Sequence, residues 1–225
     1  MDRWRLGTWQ RIAHALGVVC LSLASLYVLN RLIAPYVMPR NEPPFSGTNA
    51  QFAFALPNIV VGWGFVLGLG LFVAGRTTPS RVGWRVDHPT RDVALGVVGF
   101  VGIWAILIAA ELLVGDEPRD DIRTIIGFSS RERAFFVYVG ISAAVTEETI
   151  YRGYLQPALC SRTGVVAGIV LTAIVFGLAH FQFRPFPLTL KILGAIPLGI
   201  LRGSDRSLLA PAVAHALTWM VLGTV

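Results

Sequence analysis

Two adjacent glutamates and an arginine interrupt an apolar run that is long enough to cross a membrane. Glu147, Glu148 and Arg152 lie within residues 134–156, which read AFFVYVGISAAVTEETIYRGYLQ. A charged side chain at the centre of a membrane helix costs about 2.5 to 3.5 kcal/mol on insertion scales. We therefore expect these side chains to face the interior of a helix bundle and to form a functional site with partners elsewhere in the chain.

Helical spacing predicts different roles for the two glutamates. Glu148 and Arg152 are four residues apart in the favourable order, so Arg152 is predicted to neutralise Glu148 as a structural pair. Glu147 points about 100° away around the helix and has Tyr151, not an arginine, four residues further on. A carboxylate without a cationic partner suits a general base. A structural ion cluster and the proton relay of a transporter would use the same residues, and the spacing leaves them open.

Two histidines lie on apolar segments that follow the glutamates. His180 ends the run LTAIVFGLAHF, and His215 lies within APAVAHALTW. Either histidine alone is more often a packing residue. Together with Glu147, on three separate helices, they could activate a water molecule or hold a divalent metal, with zinc suited to histidine and carboxylate ligands. No cofactor follows from the spacing alone, because the chain has no HExxH zinc signature.

The composition is that of a membrane protein. Of the 225 residues, 54% are hydrophobic and 14% are charged, whereas ordinary globular proteins have about 25% charged residues. The net charge of +6 comes almost entirely from arginines between apolar runs. We interpret them as anchors at the lipid headgroups rather than as a nucleic-acid surface. Cys20 and Cys160 are isolated, so neither a disulfide nor a CxxC metal site is predicted.

The fold is predicted to be all-α, a polytopic transmembrane helical bundle with about seven spans, six and eight being the alternatives. About 20 apolar residues are needed to cross the hydrocarbon core. The predicted spans are residues 12–34, 52–75, 92–114, 134–156, 165–181, 188–202 and 207–224. Because no break in composition divides the chain, residues 1–225 are predicted to form a single membrane domain.

The distribution of basic residues predicts a multi-pass protein of the cell membrane with a cytoplasmic N-terminus. The early segments carry seven arginines on the N-terminal side, three before the first span and four in residues 76–91, against Arg31 and Arg40 on the other side. Over all loops the count is ten against eight, with Arg202 counted on the N-terminal side and Lys191 on the other.

Three motifs resemble those of a known family. EETIYR at 147–152, followed by Gly153, resembles the glutamate-pair-to-arginine motif of the CAAX-protease and bacteriocin-processing (CPBP, or Abi) intramembrane proteases. FGLAH at 176–180, with Phe176 four residues before the histidine, resembles the second motif, and HAL at 215–217 resembles the third. The family includes the type II CAAX prenyl endopeptidases. The resemblance covers residues 134–225 as a catalytic core and leaves residues 1–133 as N-terminal transmembrane helices.

The resemblance implies an intramembrane endopeptidase acting on a membrane-associated peptide or protein substrate. Glu147 would activate the attacking water, His180 would orient it, and His215 would help to stabilise the oxyanion. Glu148 and Arg152 would shape the site and balance its charge. If the metalloprotease-like mechanism applies, Glu147, His180 and His215 would be the metal ligands. Because the three side chains are costly in lipid unless they share a polar cavity, we predict that they lie where three late helices meet, within about one water molecule of each other.

One position departs from the family pattern. The family usually has an asparagine four residues after the third-motif histidine, where this chain has Trp219. Loss of an oxyanion donor can lower the rate by roughly 10²- to 10³-fold, although an indole offers one N–H group. Trp219 is expected either to point at the same cavity as His215 or to anchor the helix at the membrane interface.

Three alternative functions remain at this point. Trp219 favours a non-proteolytic membrane scaffold or immunity protein of the same fold. A proton-coupled transporter would use Glu147 and His180 as relay groups, but no paired inverted repeats are visible in the sequence. A purely structural membrane subunit is disfavoured by the cost of the charged residues in the apolar segment.

Overall fold

The described part of the chain is helical apart from short turns. The computed structural model describes residues 7–33, 51–52, 55–56, 59–114, 129–181, 183–203 and 207–222, and no strand occurs among them. In chain order the helices are α1 (Thr8–Val28), α2 (Val60–Val73), α3 (Pro79–Val82), α4 (Pro89–Val114), α5 (Ser130–Glu147), α6 (Gln156–Thr163), α7 (Val165–Leu178), α8 (Pro185–Arg202) and α9 (Leu209–Leu222). This confirms the predicted all-α class.

Two features modify the regular helices. A π-helical segment, Glu148–Leu155, joins α5 to α6 without a break. At its end, the backbone N–H of Gln156 bonds to the carbonyl of Tyr151, five residues earlier instead of four. α2 is also π-helical, and α1 continues as the π-helical turn Leu29–Ile33.

Three described helices are long and apolar enough to cross a membrane: Thr8–Val28, Pro89–Ala110 and Pro185–Arg202. The shorter apolar helices are Val60–Val73, Val165–Leu178 and Leu209–Val221. The predicted span 134–156 lies within the continuous helix formed by α5, the π-helical segment and α6. The total of seven spans and the single-domain organisation stay predictions. Parts of spans 12–34, 52–75 and 207–224 lie outside the described residues, as do most of the 115–133 loop and the first two N-terminal arginines.

A capping box fixes the start of α5. The Ser129 hydroxyl accepts a hydrogen bond from the backbone N–H of Glu132 at 3.2 Å, and Glu132 Oε2 accepts one from the backbone N–H of Ser129 at 2.7 Å. This reciprocal pair satisfies two backbone donors that the first helical turn would otherwise leave without partners. The start of α5 in turn sets the phase of the helix that carries the two glutamates.

The π-helical segment lies in the centre of the core. Its residues Ile150, Tyr154 and Leu155 are fully buried, and they belong to a hydrophobic cluster shared with α1, α2, α7 and α8. Glu148 and Arg152 therefore lie on a helical segment that is surrounded by protein on several sides rather than by lipid.

α9 packs against α4, α5 and α8. Small residues allow this close approach: a Cβ atom at Gly96 of α4 would lie 2.7 Å from Val213, and one at Gly140 of α5 would lie 2.8 Å from the Cβ of Trp219. Since Trp219 meets Gly140 while His215 meets Glu148, α9 runs antiparallel to α5. This arrangement brings His215 opposite the two glutamates.

The location of Arg202 in the structure differs from the one interpreted from the sequence, which counted it among the loop charges. The structure buries it at the end of α8, where its Nε donates to the carbonyl of Arg152 at 3.2 Å and its Nη2 donates to the carbonyl of Val82 at 3.3 Å. Because α8 extends to Arg202, the side chain is held against the π-helical segment and α3 rather than at the lipid headgroups. The interpretation of this arginine as a headgroup anchor was therefore wrong.

Candidate active site

Glu148 and Arg152 form the ion pair that their spacing predicted. Both side chains are fully buried, and Arg152 Nη1 lies 3.1 Å from Glu148 Oε1. Arg152 Nη2 donates to the carbonyl of Ala195 on α8 at 3.1 Å, and its guanidinium carbon lies 4.4 Å from the centre of the Phe176 ring. Cation–π contact of this kind helps to stabilise a desolvated guanidinium. Arg152 thus pairs with Glu148 and also contacts α7 and α8, which links the π-helical segment to both helices.

Glu148 also holds His215. The Nδ1 atom of His215 lies 2.7 Å from the same Oε1 atom that receives Arg152. An ionised carboxylate only accepts hydrogen bonds, so Nδ1 carries the proton and the other ring nitrogen, Nε2, is directed elsewhere. Such a contact fixes the tautomer and the orientation of an imidazole. The sequence spacing did not predict this contact, because it joins residues 67 positions apart.

Glu147 lies beside the free end of that imidazole. Its Oε2 atom is 3.8 Å from Nε2 of His215, and the side chain is 27% exposed. Although Oε2 itself is buried, it has no hydrogen-bond partner among the described residues. The separation is longer than a direct hydrogen bond but short enough for one water molecule to contact both atoms. The Oε2 atom of Glu147 is therefore an acceptor without a described donor, next to a histidine whose ring orientation is fixed.

His180 is oriented by the carbonyl that lies four residues before it. Its Nδ1 lies 2.8 Å from the carbonyl oxygen of Phe176, which can only accept, so Nδ1 donates and Nε2 is left for a substrate or a water. The Glu147 carboxylate is near enough to interact electrostatically with His180, as is His215. The backbone carbonyl at position 176 would serve with any side chain, whereas the contact of 4.7 Å between the two ring centres depends on a phenylalanine four residues before the histidine.

The Phe176 ring forms a common wall of the site. Its centre lies 4.7 Å from the His180 ring and 5.9 Å from the His215 ring. The Tyr151 ring meets it edge-on at 5.1 Å. Phe176 of α7 thus contacts both histidine rings, and Glu147 of α5 lies 3.8 Å from the His215 ring of α9.

The donor set of the site includes one carboxylate and two imidazoles, which are ligand types that suit zinc. Among the residues that the structure describes, no group of three or more His, Cys, Asp or Glu side chains has the geometry to hold a metal ion. The ligand set of Glu147, His180 and His215 is therefore not among such groups, and metal binding by these residues stays a prediction.

Trp219 lies one turn beyond His215 and packs at the interface between α9 and α5. Its Cβ would approach a Cβ at Gly140 to 2.8 Å, which places the side chain about two turns before Glu147 along α5. The side chain is partly buried. A role for the indole in the reaction stays a prediction.

Several polar residues near the site were not singled out from the sequence. Trp84 Nε1 donates to Thr149 Oγ1 at 2.8 Å, and Gln156 Nε2 donates to the carbonyl of Gly199 at 3.0 Å. Lys191 of α8 is half-buried and interacts electrostatically with Glu147. Lys191 could have been found from the sequence, because it is the only lysine and lies inside a predicted span.

The comparisons with known proteins agree with the motifs. Residues 129–221 match the family model described as type II CAAX prenyl endopeptidase Rce1-like. The match begins at the N-cap of α5 and ends in α9, so it contains the glutamates, both histidines and Trp219. No curated protein and no solved structure matches the chain. The region that carries the three motifs is therefore similar to the Rce1-like type II CAAX prenyl endopeptidases, which confirms the resemblance that the motifs indicated.

Proposed function

We propose that this protein is an intramembrane endopeptidase that hydrolyses a peptide bond of a membrane-associated peptide or protein. One observation carries the proposal: Glu147 Oε2 is a buried acceptor with no partner among the described residues, 3.8 Å from an imidazole nitrogen that Glu148 orients. The family match over residues 129–221 and the apolar helices support an integral membrane protease in general.

In the proposed reaction Glu147 is the general base. Its carboxylate takes one proton from a water molecule, and the resulting hydroxide attacks the carbonyl carbon of the scissile peptide bond. The C–N bond of the tetrahedral intermediate then breaks, and protonated Glu147 returns the proton to the leaving amine nitrogen. A positioned general base of this kind typically contributes about 10²- to 10⁴-fold to the rate.

The two histidines are proposed to act from their Nε2 atoms. Because both Nδ1 atoms donate to fixed acceptors, each neutral ring offers Nε2 as an acceptor that can hold the attacking water. Only a protonated ring can donate from Nε2 to an oxyanion. We assign water orientation to His180 and oxyanion stabilisation, in the protonated form, to His215.

Glu148 and Arg152 are proposed to be positioning residues. Glu148 orients the ring of His215, and Arg152 balances the charge of Glu148 while anchoring it to α8. Phe176 supports the site by contacting both histidine rings. We further propose that the protein lies in the cell membrane with its N-terminus in the cytoplasm, as the early arginines indicate.

We propose that Glu147 and the two histidines act without a metal, since no metal-binding group of three or more side chains is found among the described residues. Proteolysis measured before and after treatment with a chelator, and again after zinc is added back, tests this part. We expect turnover to survive the chelator. A loss that zinc restores would overturn the metal-free mechanism while leaving the protease function intact.

A non-proteolytic scaffold or immunity protein is the second candidate. Trp219, at the position where the family usually has asparagine, favours it, since the indole packs against α5 and an amide donor is missing. A proton-coupled transporter is separated from both candidates by measuring proton flux in sealed vesicles that contain the purified protein.

Substrate trapping is the experiment that tests the proposed function. Membranes that express the Glu147→Ala variant should accumulate intact peptides that are shortened in wild-type membranes, and mass spectrometry would identify both forms. Purified wild-type protein in liposomes should then cleave the accumulated peptides. Identical peptide profiles in the two membranes, together with no cleavage in liposomes, would reject the protease and favour the scaffold.

A further inference from the structure

Lys191 is a cation in an apolar helix beside the candidate site. It is the only lysine of the chain, and it lies in α8 within a predicted membrane span. Among the described residues it has no hydrogen bond, and no carboxylate lies within ion-pair distance of its ammonium group. A half-buried cation in such a segment is costly unless an anion meets it there.

The helical position of Lys191 directs it towards the catalytic groups. Lys191, Ala195 and Arg202 are spaced by four and seven, so they lie within about 40° of each other around α8. The Ala195 carbonyl accepts from Arg152, and Arg202 donates to the Arg152 carbonyl. The face of α8 that includes Lys191 is therefore the face that contacts the π-helical segment.

Lys191 lies at about the level of Gly177 on α7, one helical turn before His180. A Cβ atom at Gly177 of α7 would lie 2.7 Å from Ile192, the neighbour of Lys191, and His180 follows three residues after Gly177. The ammonium group interacts electrostatically with both Glu147 and His180. The cation thus lies near the proposed water but outside direct contact with the Glu147 carboxylate.

We propose that Lys191 binds a carboxylate of the substrate peptide, positioned close to the scissile bond, and so determines which peptides are cleaved. This inference rests on the proposed protease function. The carboxylate comes either from the free C-terminus of the peptide or from an Asp or Glu side chain. In both cases the substrate anion supplies the ion-pair partner that Lys191 lacks within the described protein, and the ammonium group holds the peptide across Glu147.

The test measures the cleavage of three forms of one lipidated peptide library by the protein reconstituted in phosphatidylcholine liposomes. The first form has a free C-terminal carboxylate, the second is C-terminally amidated, and the third is amidated with one Asp at varied positions. Wild-type kcat/KM should be about 10- to 100-fold higher for a carboxylate-bearing form than for the plain amide, as expected for a hydrogen bond between charged groups. A preference for the first or the third form identifies the source of the carboxylate.

Lys191→Gln should bring that ratio close to one, mainly by raising KM for the carboxylate-bearing form. Lys191→Arg should keep most of the preference because it keeps the charge. The matched control is Arg184→Gln, which removes an exposed cation at the N-cap of the same helix and should leave the ratio unchanged. A wild-type ratio near one would overturn the proposal. An equal loss of kcat/KM on all three forms in Lys191→Gln would also overturn it and would indicate that Lys191 acts on Glu147 instead.

A binding measurement separates this proposal from the protease function. Fluorescence anisotropy with labelled peptides and the Glu147→Gln variant in nanodiscs reports affinity without turnover. The carboxylate-bearing form should bind about 10-fold or more tightly than the amide, and the added substitution Lys191→Gln should abolish the difference. If no form is cleaved but this difference is present, the carboxylate site stands and the protease function fails. If the peptides bind equally, the carboxylate site fails, whatever the turnover.

Discussion

The imidazole of His215 lies 2.7 Å from the carboxylate of Glu148, and that same carboxylate oxygen receives the guanidinium of Arg152. Two donors from two different helices therefore converge on one oxygen atom. The adjacent Glu147 has neither donor, although it lies 3.8 Å from the far nitrogen of the same imidazole. The two neighbouring glutamates thus differ in their surroundings: Glu148 has both donors on its Oε1 atom, whereas Glu147 has no hydrogen-bond donor on its buried Oε2 atom among the described residues.

Glu147→Gln should abolish turnover and leave the fold intact. The amide cannot take a proton from water, so we expect a loss of at least about 10²-fold. The side chain is partly exposed and its buried oxygen has no described partner, so the thermal unfolding temperature in detergent should stay close to that of the wild type. Asp87→Asn, at an exposed loop carboxylate, is the control. Normal turnover in Glu147→Gln would reject the assignment of the base.

Glu148 should act through His215, and a double-mutant cycle tests this. Glu148→Gln and His215→Ala should each lower kcat per folded molecule. If Glu148 works by orienting the ring, the double variant should be no slower than His215→Ala alone, within about threefold, because residues that act as a unit are not additive. Multiplied losses in the double variant would show that the two residues act independently.

Arg152→Ala should strongly destabilise the protein. The substitution leaves the buried Glu148 carboxylate without its cation and removes the hydrogen bond to the Ala195 carbonyl. Removing one partner of a buried ion pair typically costs about 3 to 5 kcal/mol. The yield of folded protein and its unfolding temperature measure the loss. Arg184→Ala, at an exposed arginine, should change stability by no more than about 0.5 kcal/mol. Equal effects of the two changes would contradict a structural role for the buried pair.

Two glycine substitutions, one at the contact between α5 and α9 and one away from it, test this contact. Gly140→Ala would place a Cβ atom 2.8 Å from the Trp219 Cβ, close to a backbone that cannot move freely, and should destabilise by about 1 to 3 kcal/mol. Gly102→Ala in α4 meets nothing within 4 Å and should instead be neutral or stabilise by up to about 1 kcal/mol through helix propensity. Thermal unfolding of both variants gives the comparison. A stable Gly140→Ala protein would mean that the two helices are further apart than described.

Trp219→Asn should raise the turnover rate and lower the stability of the protein. The asparagine restores the amide that the family usually carries at this position, so turnover per folded molecule should rise if the site lacks one oxyanion donor. The unfolding temperature should fall, because the packing of the indole against α5 is lost. Measuring both quantities on the same preparation separates the effects. A marked loss of turnover at unchanged expression would instead assign a direct role to the indole.

The sequence predicted the helical class, the helix positions and the Glu148–Arg152 pair because all three depend on local patterns. Apolar runs of membrane length and an i, i+4 spacing need no knowledge of tertiary contacts. The three separate motifs also indicated which helices would converge, and the structure gathers them around Phe176.

The contacts that could not be predicted join distant parts of the chain. Three features depend on how α8 packs against the π-helical segment and how α9 packs against α5. They are the bond from His215 to Glu148, the burial of Arg202 and the electrostatic interaction of Lys191 with Glu147. The π-helical winding of Glu148–Leu155 was also missed. The residues of that segment carry no sequence pattern that indicates it.

The π-helical winding of Glu148–Leu155 determines how the protein responds to a change in the number of residues there. The segment accommodates one extra residue before Gln156, whose backbone N–H bonds five positions back. If one residue were deleted, ordinary helical winding over the shortened segment would keep Gln156 and the helix after it close to their present phase relative to Glu147. The bond from Gln156 to the Gly199 carbonyl should then survive. In a regular helix such as α5, the same deletion would rotate all that follows by about 100°. Deleting one residue from these eight positions should therefore disturb the packing of the following helices less than deleting one residue from α5.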